Sequence, residues 1–255
     1  MEFLKNIGEK MKENKKVILV IVGVMIAISL IGTAVYYSFF SDTKYRSNGD
    51  NVVIGDINQP VKDSKDEGRE LQSEIKELNS KYSDAKAWVK LPGTAMDYPV
   101  FQATDNDRYL RNNRDNIPTK WGENFMDYRC DIDNMKSQHI IVYGHNTETN
   151  DSFSPLVNYK NKEFYNTHKY IEFATLNGKY KFEIFSTYTA DANFDYLQTE
   201  FSNGDEYKQF LKTIKNKSSY TTGIEISQND TILTLSTCDY TQRSGRYVVH
   251  AKLVK

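Results

Sequence analysis

The chain has 255 residues and a formal net charge of −1, so no global basic field recruits nucleic acid and no acidic excess argues for disorder. Aromatic residues make up 13% of it, with 18 Tyr and 13 Phe, which suits a β-rich domain with many half-buried positions better than a solvated tail. The near-neutral balance favours no particular sign of substrate charge.

Residues 17–40, VILVIVGVMIAISLIGTAVYYSFF, carry no charge over 24 positions. As a helix rising about 1.5 Å per residue, that run covers a hydrocarbon core of about 30 Å, so it predicts a single transmembrane helix. Lys5, Lys10, Lys12, Lys15 and Lys16 precede it and few basic residues follow at once. The positive-inside bias then keeps residues 1–16 in the cytoplasm as a basic tail and places everything beyond Phe40 on the extracellular face. A cleaved signal peptide is the rival. It needs a shorter apolar region, about 7 to 15 residues, and a small-x-small cleavage site, which GTAVYYS fits poorly. Residues 41–63 are polar, rich in turn formers and without a sustained period, and read as a linker to a domain over 64–255.

Within that domain, Leu71, Ile75, Leu78 and Tyr82 recur at i, i+4, i+7 and i+11 in a charged segment, which predicts an amphipathic helix from about Lys65 to Ala85. The pattern then turns to short β-type runs split by turn signals: AWVKLPG, DYPVFQA, ENFMDYR, HIIVYGH, YIEFATLNGKYKFEIFSTYTA, TILTLSTC and RYVVHAKLV. In the fifth run, Asn177-Gly178 lies between alternating segments and marks a hairpin. One helix interrupts the series over about 204–217, with Tyr207, Phe210, Leu211 and Ile214 on one face and Ser202 and Asn203 as caps. Many short strands at modest spacing favour a closed or nearly closed barrel, so the fold class is mainly β with one helix inserted between late strands. The sequence holds no internal repeat, no Gly-rich phosphate loop and no low-complexity tract.

The segment LTLSTCDYTQRSGRYVVHAKLV holds one of only two cysteines. By alternation, Leu233 and Leu235 share one face, while Thr234, Ser236 and Cys238 share the other, polar one. In the last run, Tyr247, Val249, Ala251 and Leu253 form the apolar face and Arg246 falls opposite. If the two runs pair through DYTQRSG, Cys238 and Arg246 meet at one rim, where a guanidinium favours the thiolate and makes it nucleophilic. Two other readings stay open: a lone cysteine at a strand end is often a small inert residue, and an exported domain with two cysteines can form a Cys130–Cys238 disulfide. A domain of this size folds without such a staple.

A reactive cysteine also needs an acid/base. His168, in NTHKY, reads as part of a solvated turn. His250 shares the parity of Arg246 and reads as a surface or supporting residue, and His139 opens a strand. His145 follows a buried-looking run and a Gly, at a strand-to-loop exit where rigid scaffolds often display catalytic groups. The papain-type and caspase-type cysteine signatures are absent, and His145 precedes Cys238 by 93 positions. Without C-x-x-C, H-E-x-x-H or a close His pair, no metal and no cofactor is expected.

TLSTCDYTQRSGRYVVHAKL, with YGHNT, FMDYR and an N-terminal anchor, strongly resembles the class B sortases of Gram-positive bacteria. The resemblance spans roughly residues 65–255, and its most specific part is T-L-S-T-C followed eight positions after the cysteine by Arg. It implies an eight-stranded β-barrel with N-terminal helices and a helix between the sixth and seventh strands. It also implies a transpeptidase that cuts a cell-wall sorting signal after threonine and joins the new carboxyl end to an amino group of peptidoglycan or its precursor. By motif, Cys238 is the nucleophile, His145 the general acid/base, and Arg246 the group that holds substrate and stabilises the oxyanion. Asn106 and Leu110 in ATDNDRYL, Tyr196 and Leu197 before the inserted helix, and Ser236 correspond to groove residues. Signals of the NPxTx type, often on haem-uptake or pilus-related proteins, are the family's usual substrates. A hydrolytic cysteine peptidase on the same site and a tethered β-domain that binds a surface component are the competing readings. The expected partners are therefore signal-bearing surface proteins, a peptidoglycan amine and, through the N-terminal helix, the membrane.

Overall fold

The structure, a computed structural model, describes residues 70–147, 149–190, 194, 196–241 and 245–254. The predicted cytoplasmic tail, transmembrane helix and linker over residues 1–63 lie outside the described residues. Among the described residues, no helix is long and apolar enough to cross a membrane.

The strands are β1 (Ala85–Lys90), β2 (Asp97–Phe101), β3 (Phe125–Met126), β4 (His139–Tyr143), β5 (Tyr170–Thr175), β6 (Lys179–Ala190), β7 (Ile232–Asp239) and β8 (Gly245–Leu253). They close into a barrel in the order β1-β2-β3-β4-β7-β8-β6-β5. Pairs β2/β3 and β4/β7 are parallel, and the rest are antiparallel. The helices are α1 (Leu71–Lys81), α2 (Arg108–Arg111), α3 (Lys162–Thr167) and α4 (Gly204–Asn216), with a 3-10 helix over Ser154–Lys160.

Period-2 side-chain alternation fills the barrel interior with Val89, Val142, Phe173, Phe182, Leu233, Leu235, Val249 and Ala251. Helix α1 covers one outer flank through Leu71, Ile75 and Leu78, which pack with Trp88, Phe101 and Ala174. It stops at Lys81, earlier than its apolar period predicts, because Ala85 already pairs with Phe101 in the β1/β2 ladder. The side chain of Asn79 donates to the carbonyls of Ser83 and Ala85 across the break.

Helix α4 lies between β6 and β7 and buries Tyr207, Phe210, Leu211 and Ile214 against Phe185 and Ile232. Asn203 caps it, accepting from the Asp205 and Glu206 amides at 3.0 Å each, and Glu206 reaches back to the Ser202 amide at 2.6 Å. That reciprocal arrangement satisfies orphan donors of the first turn and fixes where the β6–β7 connection ends.

Two further sequence expectations need correction, and one open alternative closes. ENFMDYR forms only the two-residue β3, because the chain turns directly after Asp127: its amide still donates to the Ile141 carbonyl of β4 at 2.9 Å, but its carboxylate accepts the Arg129 amide at 3.0 Å and its carbonyl accepts the Cys130 amide at 3.0 Å. His168 is buried rather than solvated, stacked on Phe164 with centroids 4.1 Å apart. Of the two readings of His250, the surface one falls and the supporting one stands, since its ring is fully buried and bonded to Thr234 and Tyr188.

Candidate active site

Strands β7 and β8 pair so that Cys238 and Arg246 are direct partners, both on the outer face of the barrel. Cys238 is half-buried and Arg246 exposed. The guanidinium folds along its own strand, its Nη1 donating to the Gly245 carbonyl at 3.1 Å.

The parallel β4/β7 ladder brings in the histidine. It runs to Tyr143 opposite Ser236, and the Gly144 amide extends it by donating to the Ser236 carbonyl at 3.1 Å. Continued one residue further, the register sets His145 level with Cys238. Asn146 fixes this end, its Nδ2 donating to the Cys238 carbonyl at 3.0 Å. Gly144 is required here because a Cβ would run into the Phe153 ring and the Asn124 side-chain oxygen.

His145 is 9% exposed, and its Nε2 lies 3.2 Å from the Leu110 carbonyl. A carbonyl only accepts, so in the neutral ring Nε2 carries the proton and Nδ1 is the basic nitrogen. Burial depresses the imidazole's pKa below its ordinary value. The Leu110 bond opposes the shift, and the Arg111 and Arg246 charges add to it. Trp121 packs against the ring with centroids 5.6 Å apart.

The other sequence-derived residues are each tied into the fold by named partners. Ser236, two residues before the cysteine on the same face, shares a 2.8 Å hydrogen bond with the Tyr196 hydroxyl. The neighbouring Leu197 carbonyl accepts from Arg129 at 3.0 Å. Asn106 donates to Asp127 at 2.9 Å and accepts the Tyr128 amide at 3.0 Å, so both ends of its amide are committed within the protein. Leu110 is exposed.

Asp239, next to the nucleophile candidate, does more than close a local turn. Besides accepting from Thr241, it pairs with Lys160 at 2.8 Å and accepts from Thr189 at 2.7 Å. Burial alone would raise its carboxyl, but these donors hold it well below the usual range. Cys130 is buried, and burial pushes its thiol up to about 12. Both cysteines are free, which removes the disulfide reading. Among the described residues, no group of three or more His, Cys, Asp or Glu is placed to hold a metal ion.

Residues 89–254 match the sortase domain family model. Sortase B of Staphylococcus aureus is 35% identical over 187 residues, 72% of this chain and 76% of that protein. The chain belongs to the class B sortases. In solved structures, Clostridium perfringens sortase B superposes with a TM-score of 0.67 at 36% identity, covering 71% of this chain and 99% of that one. The S. aureus sortase B–substrate complex gives 0.65 at 35% identity, covering 72% and 93%. This sortase is accordingly a cysteine transpeptidase of the sortase B type that sorts proteins to the cell wall, on an eight-stranded mixed barrel.

Sequence reasoning missed the supports of this sortase's site. Asp127 is fully buried and gathers Arg129 at 2.8 Å, Tyr143 at 2.8 Å and Asn106. Burial would raise its carboxyl, but those donors bring it down to about 2. Asp127 thereby links Asn106, through Arg129, to the Leu197 carbonyl. The available signal was the acidic residue inside a strand-like run, since a carboxylate there needs partners. His139, Thr234 and His250 form a second support, signalled only by their shared strand parity.

Proposed function

We propose that this sortase is anchored by the apolar segment 17–40 and cleaves a C-terminal sorting signal after its threonine, passing the protein to an amino group of peptidoglycan or its precursor. The observation that carries this reading is the register pairing of Cys238 with Arg246, with Asn146 binding the cysteine strand beside His145.

In this reading His145 Nδ1 takes the Cys238 thiol proton when the signal docks. The thiolate attacks the threonine carbonyl, and the Arg246 guanidinium stabilises the developing oxyanion. The imidazolium returns the proton to the departing amine, leaving a thioacyl enzyme. An incoming amine, deprotonated by the same imidazole, then opens the thioester and frees the thiol. Leu110 and Asn106 flank the signal on one side, and Tyr196, Leu197 and Ser236 on the other. Asp239 is excluded from proton transfer, because it is held ionised by Lys160.

The test incubates the full chain in detergent with NPxTx and PPxTG peptides and a trapping amine, following peptide products and intact protein by mass spectrometry. A thioacyl adduct on Cys238 that passes to the amine supports transpeptidation and names the signal. Release of free acid in the presence of saturating amine supports the hydrolytic reading instead. Failure of any peptide to label Cys238 overturns the assigned chemistry.

A further inference from the structure

Beneath the Tyr196–Gln198 segment runs an unbroken chain of four buried polar side chains. His139 Nδ1 lies 2.6 Å from the Gln198 carbonyl, and its Nε2 lies 2.6 Å from Thr234 Oγ1. Thr234 Oγ1 is 2.7 Å from His250 Nδ1, and His250 Nε2 is 2.8 Å from the Tyr188 hydroxyl. His139, Thr234 and His250 are fully buried and Tyr188 nearly so, under Phe185, Phe194 and Phe210. The four come from β4, β7, β8 and β6, so the chain crosses the outer face of the barrel from strand to strand.

Its order is fixed by chemistry. The Gln198 carbonyl only accepts, so His139 Nδ1 must donate to it. A hydroxyl has one proton, so Thr234 donates to one imidazole and accepts from the other. With both rings neutral, Tyr188 donates to His250, His250 to Thr234, Thr234 to His139, and His139 to Gln198. Thr234 is the central link, and without its hydroxyl each ring loses a buried hydrogen bond.

The carbonyl at the end of this chain belongs to the residue after Leu197. Three consecutive residues are thus pinned from three directions: Tyr196 by Ser236, Leu197 by Arg129, and Gln198 by His139. We infer that the Tyr188–His250–Thr234–His139 chain is a positioning device that holds the Tyr196–Gln198 wall at the spacing a bound sorting signal needs. Its residues touch neither the signal nor the thiol, and they set affinity for the peptide rather than the rate of acyl transfer. This rests on the reading that Tyr196 and Leu197 flank the signal.

The experiment compares the full chain in detergent with Thr234→Val, which keeps the branched shape and deletes the hydroxyl, and with Thr234→Ser, which restores it. Steady-state peptide kinetics are measured together with amide hydrogen exchange over residues 196–201. Thr234→Val is expected to raise peptide KM about tenfold, as loss of a buried hydrogen-bond link implies, with kcat within about twofold. Exchange over 196–201 is expected to speed up, and Thr234→Ser to restore both. Thr175→Val, which removes a buried hydroxyl from the β5–β6 turn and touches no member of this chain, is expected to leave KM unchanged.

Unchanged exchange over 196–201 in Thr234→Val overturns the inference whether or not any peptide is turned over. Equal KM, or a KM rise shared by Thr175→Val, overturns it as well. If exchange responds but wild-type protein labels with no peptide, the wall is held as inferred and the functional reading is the part that fails. Should Thr234→Val not fold, Tyr188→Phe breaks the far end of the chain, and the same readouts decide with a smaller effect in the same direction.

Discussion

The two faces of the β7/β8 pair differ by one residue step and by everything that covers them. The inner face, Leu233, Leu235, Val249 and Ala251, is apolar and sealed in the barrel. The outer face carries Thr234, Ser236 and His250, equally buried but roofed by α4 and the β6–β7 connection, so these polar groups are hydrogen-bonded. At the last step, Cys238 and Arg246, exposure returns. A polar face that is buried along its length and open at its end is what a displayed nucleophile needs: firm support behind it and access in front. The largest expected effect lies at that open end. Cys238→Ala is expected to reduce turnover to background while leaving the melting temperature within about 2 °C, because the side chain is half-exposed and replaced by a small one. Residual thioacyl chemistry in that variant would move the nucleophile elsewhere.

Arg246→Lys keeps the charge and loses the planar fork, and should cost about 10²-fold in kcat/KM with unchanged stability. Near-normal turnover would remove the guanidinium from the mechanism. One step inward, the two faces separate cleanly. Leu235→Ala opens a cavity in the barrel and is expected to cost about 2–5 kcal/mol in unfolding free energy, with kcat per folded molecule retained. Ser236→Ala removes the hydrogen bond between Ser236 and the Tyr196 hydroxyl and should cost about 1 kcal/mol or less of stability, yet raise peptide KM. Chemical denaturation beside peptide kinetics decides the point, and equal profiles for the two variants would erase the distinction between the faces.

What the sequence disclosed followed from local geometry. A period of two placed Cys238 and Arg246 on the same face, and the Asn177-Gly178 turn and the α4 stripe are equally local. What stayed hidden was coverage. Alternation says which way Thr234 and His250 point, but their roof comes from Phe194, Gln198 and Phe210, distant in the chain, so a polar stripe read as an outward face is in fact interior. The same limit applies to His168, buried by packing on Phe164 and by the Tyr159 hydroxyl bound to its carbonyl at 2.6 Å. The short β3 was hidden for another reason, since only the assembled site shows how many donors Asp127 collects. The His145 loop was legible in place but not in geometry, because the Leu110 carbonyl that orders its ring lies 35 residues away in sequence.

Acid provides the gentlest test of the buried outer face. Burial holds both His250 and His145 below the ordinary 6.5, so between that value and their depressed native values the unfolded chain binds more protons than the folded one. Stability therefore stays level above about pH 6.5 and falls as pH drops below it, by at most about 1.4 kcal/mol per pH unit for each histidine. The buried carboxylates act in another window. Asp127, held at about 2, and Asp239, held well below the usual range, give stability that is complete above about pH 3.9 and is lost only below it. Thermal melts from pH 7.5 to 4.5 thus isolate the histidines. A decline of a few degrees beginning near 6.5 is expected, with a shallower slope in His250→Gln, which cannot titrate. A flat wild-type profile over that range would mean that these imidazoles are not held neutral by burial, and a slope unchanged in His250→Gln would assign the decline to histidines other than His250.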